Sequence, residues 1–235
     1  MINIEIAGLP IGIDTRYSYL SYIAKEHITD KEPLFTVSVS DEQIKSELAK
    51  LEEPLDEQYL EASAIFRRIG EELPLYSGFV FHGAVIALDG VAYAVTARSG
   101  VGKTTHLSLW LKEFGDRVHI LNGDKPVLRI IDGRVYACAT PWRGKEGYGV
   151  NEMLPLGGIG FIRRAARNSA APLTPPAALI DFISQIYIPN RSDTARLALS
   201  LADTVLKSVP LFSLSVNMDP EAAHVAMNAF VNNKF

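Results

Sequence analysis

The chain has 235 residues, 48% hydrophobic and 21% charged, with a net charge of −4 at pH 7. That length allows one large domain or two small ones, and the balance gives no general reason to expect nucleic acid or an anionic membrane as partner. Cys138 is the one cysteine, which excludes an internal disulfide; with no basic start, no signal-like stretch and no apolar run of ~18 residues, the expectation is a cytoplasmic protein.

In chain order, INIEIAGLPIGID places Ile2, Ile4 and Ile6 on one face, and LFTVSV repeats the alternation, so both predict strands. Residues 41–73 are charged, with apolar residues at helical spacing. Asp41 reads as the cap of a first helix, and Pro54 divides the run in two. GFVFHGAVIALDGVAYAVTA holds two apolar strands joined at Asp89-Gly90, a strong hairpin signal. Residues 104–114 read as a helix, Gly115-Asp116 as a turn, and RVHILNGD as a short apolar strand.

VLRIIDGRVYACAT is a second hairpin turning at Asp132-Gly133, and it puts Cys138 in a strand as a buried, unreactive thiol. Residues 141–160 are rich in Gly, Pro and charge and read as loop, leading into the buried strand GIGFI. From Pro175 the chain is mostly helical. LFSLSVNM is a strand, and DPEAAHVAMNAFV a closing helix with Asp219 as cap and Pro220 at its first position. No internal repeat or low-complexity tail is visible. The alternation as a whole predicts an α/β fold with a mixed sheet. It divides into an N-terminal α+β region over residues 1–75 and a nucleotide-binding domain over residues 76–235.

ARSGVGKT, residues 97–104, sits between the strand AYAVTA and a helix. The phosphate-binding pattern Gly-x-x-x-x-Gly-Lys-Ser/Thr is met with Ala97 at its first position. Gly100 and Gly102 let the backbone curl so that N–H groups converge on an anion. Ser99, Gly100, Val101, Gly102, Lys103, Thr104 and Thr105 would cradle the phosphates of ATP. Lys103 would supply charge, and the Thr104 hydroxyl would bind Mg²⁺. The helix that follows points its positive end at the same anion. Asp124 ends the strand one helix later, where a carboxylate would share that metal or act as a base. His106 and Trp110, on the same helix, read as packing residues.

FHGAVIALDGVAYAVTARSGVGKTTHLSLW…LNGDKPVL resembles the HPr kinase/phosphorylase and phosphoenolpyruvate carboxykinase superfamily. Within it, the chain is most similar to the HPr-kinase-related proteins found beside peptide-modification genes. The resemblance covers residues 79–127 well. It implies a P-loop kinase using ATP and Mg²⁺, with His82 and Asp124 in the active site. Where the family carries an acidic pair, this chain has Gly123-Asp124-Lys125, with one carboxylate in either register.

TPWRGKEGYGVNE, residues 140–152, places Arg143 and Lys145 among glycines. Such a segment suits closure over a transferring phosphoryl group, with both cations catalytic. Three readings stand open: a kinase acting on a hydroxyl of a protein, peptide or small molecule, a serine included; a nucleotide-dependent binding protein without turnover; and a regulatory ATPase. No Asn/Thr-Lys-x-Asp signature favours GTP. A homo-oligomer is left open.

Overall fold

The structure is a computed structural model that describes residues 1–49, 55–98 and 100–232. Strands β1 (Ile2–Ile6) and β2 (Leu9–Asp14) pair antiparallel across Ala7-Gly8, both at positive φ (55° and 74°). That is the twist-matched geometry of a two-residue hairpin. After α1 (Ser18–Ile23) and a 3₁₀ turn (Lys25–His27), β3 (Phe35–Ser38) adds parallel to β2.

Helix α2 (Asp41–Leu48) is capped by Ser40, not Asp41. Gln43 N donates to Ser40 Oγ at 3.3 Å while Ser40 N donates to Gln43 Oε1 at 3.0 Å. This reciprocal box satisfies two N–H groups at once, and Asp41 falls in the first turn, paired with Arg16. Pro54 lies outside the described residues. Helix α3 (Glu57–Glu72) begins beyond it, capped by Asp56, which accepts from Gln58 N at 2.9 Å.

The second sheet follows the order β4 (Gly78–Val80), β8 (Val127–Ile131), β9 (Arg134–Cys138), β10 (Met153–Arg164), β6 (Val91–Thr96), β5 (Ala84–Leu88), β7 (Val118–Asn122). Strand β12 (Leu211–Val216) runs parallel to β10, and β11 (Ser169–Pro172) antiparallel to β12. Both predicted hairpins form, with Asp89 at φ 50° and Asp132 at φ 49°. The sheet is mixed, because β10 runs parallel to β6 and β12 but antiparallel to β9.

The loop expected to extend to residue 160 ends earlier, since β10 begins at Met153. The strand changes partners from β9 to β6, with an irregularity between Leu156 and Gly158. A Cβ on Gly157 would meet Val91 Cγ1 at 2.6 Å. Here glycine serves close packing inside a strand, so its usual meaning as a loop marker misled.

Alternate side chains of the sheet enter opposite layers. Ala84, Ile86, Leu88, Tyr93 and Val95 pack with Leu107 and Trp110 of α4 (Lys103–Phe114) and Phe230 of α7 (Glu221–Asn232). Val85, Ala92 and Ala94 face the other way, toward Phe182 of α5 (Pro175–Ile183) and Val205 of α6 (Ser192–Ser208). Burial on both faces explains the near-continuous apolar runs. Asp219 turns into α7 through its backbone, accepting from Ala222 N at 2.9 Å, while its carboxylate accepts from Asn217 Nδ2.

A third cluster joins Ile4, Ile6, Leu20, Ile65 and Ile69 of the N-terminal region to Val80, Val127, Cys138 and Trp142. The small sheet is thereby seated on the β4–β8–β9 end of the large one. Arg129 Nη1 donates to Ala7 O at 2.6 Å across the same seam. Cys138 is fully buried there, its thiol pKa pushed up to about 12 by burial. Among the described residues no helix is long and apolar enough to cross a membrane.

Candidate functional site

The loop between β6 and α4 has Gly100 at φ 76° and Gly102 at φ 121°, where an L side chain would be strained. Ser99 lies outside the described residues. Gly102 is the N-cap of α4, and no side chain caps the helix, so the first-turn N–H groups face solvent or ligand. Thr104 and Thr105 are exposed beside them. Arg164, at the end of β10, donates from Nε to Val101 O at 3.0 Å and from Nη2 to Gly100 O at 2.5 Å. In a trans peptide the N–H opposes the C=O. Holding the Val101 carbonyl on the Arg164 side therefore turns the next amide, on Gly102, away from it, while Val101 N donates to Arg98 O at 3.2 Å.

Lys103 folds back over its own loop, with Nζ donating to Ala97 O at 3.1 Å. Burial pushes its ammonium pKa down, and the nearby Asp124 carboxylate opposes that. The amine is thus held in the site with no ion pair among the described residues, available to a stronger anion.

Asp124 follows β7 in a turn organised by Asn122, which is fully buried. Asn122 Oδ1 accepts from Asp124 N at 3.0 Å and Lys125 N at 2.8 Å, and Nδ2 donates to Thr140 O at 3.1 Å. This is the Asx-turn chemistry of asparagine. Asp124 Oδ1 lies 3.4 Å from His82 Nε2, with the two side chains 29% and 45% exposed. Burial pushes the Asp124 carboxyl pKa up. His82, Lys125 and Lys103 more than offset this and hold it below its ordinary value.

His82 itself occupies a break between β4 and β5. Its N donates to Gln185 O at 2.6 Å, and Thr96 Oγ1 lies 2.9 Å from its carbonyl oxygen. The histidine is half-exposed into the cleft rather than packed in a strand.

Glycine at 123 has a steric cause. A Cβ there would meet Arg143 O at 2.9 Å and Tyr148 O at 3.3 Å. The backbone of the 140–152 segment occupies the space a second carboxylate would need. At the other flank, Lys125 Nζ lies 5.6 Å over the Phe66 ring.

The 140–152 segment is tied at both ends. Thr140 Oγ1 donates to Lys125 O at 2.8 Å, and Gly123 N donates to Tyr148 O at 3.0 Å. Trp142 is tucked against Phe66, ring centroids 4.4 Å apart. Arg143 runs beneath Gly149, where a Cβ would meet its Cδ at 2.9 Å, and ends on Glu26 Oε2 at 2.5 Å. Lys145 is exposed, with no hydrogen bond or ion pair among the described residues.

These parts border one cleft of about 950 Å³. His82, Lys103 and Asp124 form one wall, the Arg143–Lys145 turn another, and Tyr19, Tyr22 and Tyr59 of the N-terminal region a third. Tyr22 is 71% exposed and Tyr59 48%. Among the described residues no three His, Cys, Asp or Glu side chains gather as a metal site. A cation at Asp124 would need the Thr104 hydroxyl, phosphate oxygens and water to complete its shell.

His106 is buried away from this cleft, accepting from Trp110 Nε1 at 3.0 Å, and burial takes its pKa down to about 4. Its packing role stands. The sequence reading missed Asn122, Thr140, Glu26 and Arg164. Asn122 left a signal, an Asn two residues before the carboxylate; Glu26 and Arg164 left none.

No protein-family model matches this chain, and no curated protein matches it. Among solved structures it is similar to the HPr(Ser) kinase/phosphatase from Coxiella burnetii. The identity is 9% and the TM-score 0.37, over 63% of this chain and 88% of that one.

Proposed function

We propose that the chain binds ATP phosphates in the glycine loop and transfers the γ-phosphoryl group to a hydroxyl of an acceptor. The observation that carries this reading is a juxtaposition. An uncapped helix N-terminus behind two positive-φ glycines opens into the same cleft as Lys103 and the His82–Asp124 pair.

The roles follow from the chemistry of each group. Loop amides and the start of α4 receive the β-phosphate. Lys103 exchanges the Ala97 carbonyl for phosphate oxygens. The Thr104 hydroxyl and Asp124 carboxylate would hold Mg²⁺, which supplies neutralising charge. As the acceptor oxygen bonds to the γ-phosphorus, the bond from that phosphorus to the bridging oxygen breaks and ADP leaves. The hydroxyl proton passes to the Asp124–His82 pair. Lys145 is a cation placed to meet the transferring group, whereas Arg143 reaches it only on leaving Glu26.

A second reading, a nucleotide-binding protein without turnover, is favoured by the absence of room for a carboxylate at Gly123. ADP formation with and without candidate hydroxyl acceptors separates the readings: acceptor-dependent for the kinase, absent for the binding protein, acceptor-independent for an ATPase. The shared premise is tested by Lys103→Ala. Removing a charge-assisted phosphate contact costs roughly 1.5–3 kcal/mol, tenfold or more in ATP affinity. Unchanged affinity in a folded variant would overturn nucleotide binding at this loop.

A further inference from the structure

A second crevice, of about 570 Å³, lies on the other side of the glycine loop. In the sheet order, β10 flanks β6 on one side, while β5 and then β7, which leads to Asp124, lie on the other. The crevice is walled by the ends of β6 and β10 and by Asp181, Ser184 and Gln185 at the end of α5. Strands β6 and β10 are parallel, so the crevice sits outside the carboxyl ends of adjacent parallel strands, where open α/β sheets take ligands. The two cavities meet at Gly100 and Arg164.

We propose that this crevice receives the nucleoside end of the nucleotide, leaving the tyrosine-faced part of the main cleft to the acceptor. The proposal rests on the phosphate-binding reading above. Direction comes first. The reactive end of the triphosphate has to face Asp124 and His82, so the opposite end leaves the loop on the β10 side, toward Gly100 and Arg164.

Lining chemistry comes second. Ala97, Val101, Phe161 and Ile162 give the crevice apolar walls, and Ser184 and Gln185 place a few polar groups at its edge. That mixture suits a flat base with a hydrogen-bonding rim. Asp181 is oriented by Arg163 Nη2 at 2.8 Å, a carboxylate poised to accept from a ribose hydroxyl.

Charge comes third. Of the three arginines at the crevice, Arg163 is engaged by Asp181 and Arg164 by loop carbonyls. Arg98 is exposed, without a hydrogen bond or ion pair among the described residues. One free guanidinium is a thin basis for a separate anion site. As a planar cation it suits stacking on a base.

The test compares ATP with inorganic tripolyphosphate, each with Mg²⁺, by calorimetric titration of the native chain, Ser184→Trp and Asp181→Ala. Ser184 is exposed at the crevice wall, so tryptophan there fills the crevice without entering the core. Native protein should bind ATP at least tenfold more tightly than tripolyphosphate. Ser184→Trp should lose at least tenfold in ATP affinity and Asp181→Ala at least threefold, with tripolyphosphate within twofold in both. Equal weakening of both ligands, or no change in either, would overturn the placement. If native protein binds neither ligand, the phosphate-binding reading fails and takes this one with it.

Discussion

On one side of the cleft the polar groups are carried at the ends of buried elements. Lys103 opens α4, Asp124 follows β7, and His82 lies between two strands, its backbone held by Gln185 O and the Thr96 hydroxyl. On the other side, Arg143 and Lys145 ride on a segment whose position depends on Glu26 of a distant turn, on Phe66 of α3, and on the absence of side chains at Gly123 and Gly149. The Lys103 and Asp124 part of the first wall is preorganised by local turn chemistry, and the second wall by tertiary contacts alone. Substitutions beneath the first should therefore cost stability. Substitutions beneath the second should cost little stability and act on closure.

The sharpest test of the first wall is acid. His106, on the buried face of α4, has a folded pKa of about 4 against an ordinary 6.5, because burial disfavours its charged form. Between those values the unfolded chain binds a proton that the native chain does not, so stability falls as pH drops from about 6.5 toward 4. The gap corresponds to at most on the order of 3 kcal/mol. Urea unfolding followed from pH 7 to pH 4 should show this slope. His106→Gln, which keeps an acceptor for Trp110 Nε1, should flatten it.

Next in size is Asn122→Ala. It removes the acceptor for two backbone N–H groups and a donor to Thr140 in a fully buried place. Unsatisfied buried groups put the loss at roughly 1–3 kcal/mol by urea titration. A loss below ~0.5 kcal/mol would mean that the Asp124 turn is not held locally. ATP turnover, where measurable, should fall with it because Asp124 loses its anchor.

Glu26→Gln probes the second wall. The Arg143 hydrogen bond holds the Glu26 carboxyl pKa below its ordinary value. The pair therefore contributes above the ordinary carboxylate pKa and is lost as pH falls through the lowered one. Glu26 is 45% exposed, so the stability change at pH 7 should stay under about 1 kcal/mol. Arg143 becomes freer, and transfer or nucleotide binding should change in excess of the stability change. A loss of several kcal/mol would make the two walls alike.

The smallest effect serves as a control for the seam behind both walls. Native Cys138, buried with a pKa of about 12, should resist iodoacetamide at pH 8, while the urea-unfolded chain is modified readily.

Most of the first wall was legible in the chain. The glycine spacing at Gly100 and Gly102, the hairpins at Asp89-Gly90 and Asp132-Gly133, and the carboxylate after an apolar strand are local signals with local causes. Reading failed where glycine served packing, so that residues 153–157 extended as strand instead of loop, and at the start of α2, where Ser40 rather than Asp41 caps the helix. The second wall left little trace, because nothing near Arg143 in sequence names Glu26 as its partner, 117 residues away.

The sequence by itself determined the elements and the glycine loop ahead of α4, because turn geometry, capping and alternation act between residues a few positions apart. Only the tertiary structure decided that Gly123 leaves no room for a second carboxylate, that Arg164 braces the loop carbonyls, and that tyrosines of the first 60 residues face the loop. Those outcomes depend on which surfaces meet when the small sheet packs on the large one, and that packing sums many weak apolar contacts that no single short stretch encodes.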